Sequence, residues 1–67
     1  MEKVFYISKL VGSVEFVLCD YQTGEEWVNA THDDASNGWR FETTDEDSAN
    51  EMAHIHGGSV ESYERAQ

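Results

Sequence analysis

Apolar and polar positions along this 67-residue chain alternate at period two in its first half and recur at helical spacing in its second. From Val4 to Leu10 the run VFYISKL is rich in β-branched and aromatic residues, and Val11-Gly12-Ser13 supplies a tight connection into VEFVLCD. There Val14, Phe16 and Leu18 share one face and Glu15, Val17 and Cys19 the other, as in a strand covered mainly on one side. DYQTG, from Asp20 to Gly24, reads as the next turn. EEWVNA, from Glu25 to Ala30, reads as a third strand with Trp27 or Val28 turned inward. THDDASNG is expected to be a loop, because Asp, Ser, Asn and Gly favour turns through local side-chain bonds and positive φ. Trp39-Arg40-Phe41 follows as a short extended piece.

The helix signal comes next. Thr43 or Thr44 can serve as N-cap, with Glu46 or Asp47 three residues on in an approximate capping box. Ser48, Ala49, Met52, Ile55 and His56 then recur at spacings of 3 and 4, a narrow stripe centred on Met52 that is expected to pack on the sheet. Gly57-Gly58 ends the helix, the first glycine suiting the left-handed position after it. SVESY gives a last strand with Val60 or Tyr63 inward. The expected fold is α+β: a small antiparallel sheet of three to five strands, one helix on one face, in the order β-β-β-(β)-α-β.

Length allows one domain, residues 1–67, with a small core. The composition, 39% hydrophobic and 27% charged with eight aromatics, lies in the globular range. A catalytic pocket typically needs about 300 Å³ or more, which a sheet and one helix rarely enclose, so size argues against an enzyme. Cys19 is the only cysteine, so no internal disulfide forms and a reducing cytoplasm suits the chain. MEKVFYISKL lacks the basic and long apolar regions of a signal peptide, and no 18 apolar residues run together. The match of Asn29-Ala30-Thr31 to a glycosylation acceptor then reads as chance.

Charge changes the picture most. Fourteen acidic residues against four basic give a net charge of −10. Direct binding to nucleic acid or to an anionic membrane needs clustered cations, and Lys3, Lys9, Arg40 and Arg65 are scattered. A basic protein fits better. Between Asp33 and Glu51 seven carboxylates face a single Arg40. Asp45, Glu46 and Asp47 are placed to favour the positive end of the helix macrodipole; Asp33, Asp34, Glu42 and Glu51 have no such explanation. The plain reading is a solvated face. The sharper one is a surface that imitates a phosphate backbone and occupies a basic groove. On that reading the partner-binding residues are Asp33, Asp34, Trp39, Glu42, Asp45, Glu46, Asp47 and Glu51. Trp39 is included because tryptophan is enriched in binding hot spots, although in so small a core either indole could instead be packed.

No cofactor or catalytic residue is expected. His54 and His56 are two apart on a helix and do not face each other, which argues against a metal pair. A calcium loop from Asp33 would have Asn37 and Gly38 at positions 5 and 6, but Ala35 at position 3 and Thr44 at position 12 lack the needed carboxylates. Cys19, on a strand without a basic neighbour, reads as a small buried hydrophobe.

VFYISK, EEWV and WRFETTDEDSANEMA running into GGSVESY together resemble the small acidic domains encoded by bacteriophages, over most of the chain but through motifs of low specificity. The THDDASNG loop is longer than that pattern has. The resemblance implies a host-takeover or inhibitor protein in the host bacterial cytoplasm, with a basic host partner such as a polymerase, nuclease, nucleoid protein or CRISPR effector; it transfers no catalytic residue. The alternative is a self-associating structural module, such as a homodimer pairing exposed sheet edges.

Overall fold

The computed structural model describes residues 1–36 and 38–66. Strands β1 (Glu2–Val11), β2 (Val14–Asp20) and β3 (Glu25–Asn29) are followed by a 3₁₀ turn (Asp33–Ala35), helix α1 (Glu46–His56) and strand β4 (Ser59–Arg65). The strands form one antiparallel sheet in the order β3-β2-β1-β4. Gly12, at φ 64°, supplies the left-handed residue that the β1–β2 turn requires.

Both faces of the sheet are covered, which the alternation in β2 did not suggest. Leu18 packs with Phe5, Ile7, Ala49 and Ala53 on the α1 side, bordered by Trp27, Phe41, Met52 and Val60. Val17 and Cys19, pointing the other way, pack on Ala35 of the 3₁₀ turn with Tyr6, Tyr21 and Val28 around them. The segment expected as a plain loop therefore carries a second small cap. His32 starts it by accepting the Asp34 amide on Nδ1. Asn37 lies outside the described residues. Complete burial of Ile7 and Leu18 contributes about 1.5–3 kcal/mol each.

Helix α1 begins one to two residues later than either threonine would place it. Asp45 is the N-cap, its carboxylate accepting the Asp47 amide and the Ser48 hydroxyl, while the Thr43 hydroxyl accepts the Asp45 amide one step earlier. The buried stripe is built on Ala49 and Ala53, flanked by half-buried Met52 and His56; Ile55 and Ser48 are exposed. Small alanines let the helix lie close to the sheet. Gly57 ends it at φ 75° and ψ 33°, as expected. Of the paired alternatives in the sequence, both members are used: Trp27 and Val60 face α1, and Val28 and Tyr63 face away.

Residues 39–43 enter the sheet itself. The β1–β2 ladder runs from Val11↔Val14 to Ser8↔Val17 and then the strands diverge. The incoming segment fills the gap. The Asp20 amide donates to the Trp39 carbonyl, Phe41 to Leu18, and Phe5 and Thr43 exchange a pair of bonds, all at 2.8–3.0 Å.

Candidate partner-binding surface

Alternation along this wedge sorts its side chains. Phe41 joins the α1 side. Arg40 and Glu42 lie on the other, where Arg40 Nε and Nη2 donate to Glu42 Oε2 at 2.9 and 2.6 Å. The Tyr63 hydroxyl, at 2.9 Å, also donates to the Glu42 carboxylate, and the Arg40 guanidinium lies 4.3 Å from the Tyr6 ring centroid. Burial works against the Arg40 charge, but Glu42 and then Tyr63 outweigh it and raise its pKa. Arg65, bonded to Glu2, adds a contact to Glu42 at 3.9 Å. Glu42 is thus an internally neutralised group, whereas the sequence placed it on the binding surface with the other carboxylates.

The remaining predicted residues divide between two faces. Asp45, the N-cap, and Glu46, Asp47 and Glu51 of α1 lie exposed, with no lysine or arginine paired to them among the described residues. The Ser48 hydroxyl and the Asp47 amide hold the Asp45 carboxyl below its ordinary pKa. Asp33 and Asp34 lie beyond the opposite face of the sheet, in the 3₁₀ turn. The single acidic run of the sequence therefore becomes two acidic surfaces. Beside α1, Phe41, Met52, Ile55 and Glu51 line a groove of about 230 Å³.

Trp39 is neither core nor free. It is 43% exposed and stacks on Tyr21 with ring centroids 5.3 Å apart and an interplanar angle of 29°. The Tyr21 hydroxyl donates to Asp34 Oδ2 at 2.7 Å. That bond, with partial burial, pushes the phenol pKa well up. Sequence reasoning did not single out Tyr21, Asp20 or Gln22, which surround this indole; their signal was only an aromatic in a turn-rich pentapeptide. Cys19 is fully buried and its thiol pKa is raised chiefly by that burial.

A half-open hollow of about 450 Å³ lies between Ala30, Ala35, Ser36, Arg40, Glu42 and Tyr63. Among the described residues no three His, Cys, Asp or Glu side chains are grouped to hold a metal ion, and no helix is long and apolar enough to cross a membrane. No family model, curated protein or solved structure matches the chain.

Proposed function

We propose that this protein acts by binding rather than by catalysis: a small acidic interaction protein, of the bacteriophage inhibitor type it resembles, that occupies and inhibits a basic host protein handling nucleic acid. The observation that carries this reading is the distribution of charge. Twelve of fourteen carboxylates have no lysine or arginine partner among the described residues. The exposed carboxylates of the α1 end, Asp45, Glu46, Asp47 and Glu51, lie on one side of the sheet and Asp33, with half-exposed Asp34, lies in the 3₁₀ turn on the other, so a basic partner can approach from either side. Such a surface draws a basic partner by long-range attraction and releases counterions on contact, so binding weakens steeply with salt.

The test is affinity capture from bacterial lysate at about 0.1 M and about 0.5 M salt. One stoichiometric basic nucleic-acid-handling protein, retained at low salt and lost at high salt, supports the reading and supplies the target for an inhibition assay in the host cytoplasm. Retention of acidic proteins alone overturns it.

Self-association draws on a different observation. At the β1–β2 tip Leu10, Val11 and Val14 are 71%, 56% and 41% exposed, beyond the residues paired with β3 and β4. Sedimentation as a strict monomer at tens of micromolar removes that reading.

A further inference from the structure

Three of the four basic side chains lie over aromatic rings of their own chain: Lys9 Nζ 4.4 Å from the Trp27 centroid, Lys3 Nζ 5.5 Å from Phe5, and Arg40 beside Tyr6 and Tyr63. Trp39, the most exposed ring system among the large hydrophobic side chains, has no such cation among the described residues. Its ring is nonetheless held by the Tyr21 stack that Asp34 anchors, and its backbone by the bond from the Asp20 amide to its carbonyl.

The indole borders a hollow of about 340 Å³ that Asp20, Gln22, Arg40 and Glu42 also line. Asp20 is exposed and uses Oδ1 to accept the Gln22 amide at 3.0 Å, while no bond engages its Oδ2 among the described residues. Gln22 holds the non-glycine left-handed φ of 69°, a conformation that costs about 1–2 kcal/mol and sets the turn beside the indole. Arg40 is the one cation at this hollow, and its Nε and Nη2 are already committed to Glu42.

We propose that this hollow takes an arginine side chain of a basic partner, its guanidinium stacked on Trp39 and paired with the Asp20 carboxylate. The inference rests on the reading of the protein as an acidic binder and names the chemistry of one contact. Arginine fits better than lysine because a planar, weakly hydrated guanidinium stacks on an indole and meets a carboxylate edge-on, whereas an ammonium keeps its hydration. The net charge of −10 concentrates cations near the surface, and a rigid ring loses little freedom when it is covered.

The experiment titrates the isotopically labelled protein with capped tri-arginine and tri-lysine peptides, equal in charge, and follows the two indole N–H resonances and the backbone amides. Tri-arginine is expected to bind about two- to fivefold more tightly than tri-lysine and to move the Trp39 indole but not that of Trp27. The preference falls to unity in Trp39→Leu. Asp20→Asn, which keeps the turn-forming oxygen, weakens tri-arginine binding without changing the amide dispersion of the free protein. Equal binding of both peptides, with shifts confined to Glu46, Asp47 and Glu51, overturns the Trp39 site and leaves the acidic-binder reading standing. Absence of binding by either peptide counts against both.

Discussion

A methyl group at Gly58 would stand 2.6 Å from Trp27 Cη2, 2.7 Å from Ile7 Cγ2 and 2.9 Å from the Ser8 carbonyl. Two of these are fully or largely packed side chains and the third is β1 backbone, so no flexible end can yield. Gly58→Ala is therefore expected to cost about 1–3 kcal/mol by overpacking, read as a lower denaturant midpoint with unchanged slope. Gly57→Ala meets only the strain of its φ, with open space around it, and should cost about 1–2 kcal/mol. A negligible loss at Gly58 would mean that the close approach there relaxes freely. The pair also marks a boundary of what residue types reveal. The role of the first glycine follows from helix termination, whereas that of the second depends on Trp27 and Ile7, which are distant in sequence.

Helix α1 joins a charge to a backbone geometry at Asp45. The Ser48 hydroxyl and the Asp47 amide hold its carboxyl pKa below the ordinary aspartate value, so the ionised form is favoured in the folded state. That contribution to stability is fully present above the unfolded value and is lost as pH falls through the lowered folded one. Asp45→Asn keeps a competent cap without the charge. The wild-type protein should be the more stable at pH 7, and the gap between the two thermal midpoints should narrow progressively below about pH 4. A gap independent of pH would assign the cap to geometry alone. Elements of this kind were largely legible: three strands, the helix, its glycine terminator and the last strand follow from local periodicity and turn chemistry. Three features were not. Asp45 rather than a threonine caps the helix, and Thr43 is held at the sheet by its backbone bonds to Phe5. Ala53 joins the expected Ala49 against the sheet, while Ser48 and Ile55 turn outward, because the close approach to β1 and β4 favours small side chains. The 3₁₀ cap over Val17 and Cys19 depends on one buried residue, Ala35, in an otherwise polar loop, which gives no periodic signal.

At the scale of the whole molecule the same separation governs charge. Sequence proximity grouped seven carboxylates, but the fold sends Asp33 and Asp34 to one face, Glu46, Asp47 and Glu51 to the other, and Glu42 inward against Arg40. Most of the net charge stays unpaired, so self-repulsion opposes the compact state. Raising salt from about 0.05 to about 0.5 M shortens the screening length from about 14 to about 4 Å and should raise the thermal midpoint. A falling midpoint would show that the Arg40 and Arg65 pairs outweigh repulsion. The wedge of residues 39–43 also has a consequence for the order of folding. The first hairpin is local, and carried on at its own register it would set Ile7 opposite Leu18 and Tyr6 opposite Cys19. The native sheet holds these positions apart to admit a segment that closes a loop of roughly twenty residues, so two short-range rungs compete with one long-range insertion for the same backbone donors. Local pairing forms faster than distant pairing. The hollow beside Trp39 is thus completed only when the hairpin yields part of its reach, and binding competence there arrives late on the path to the native state.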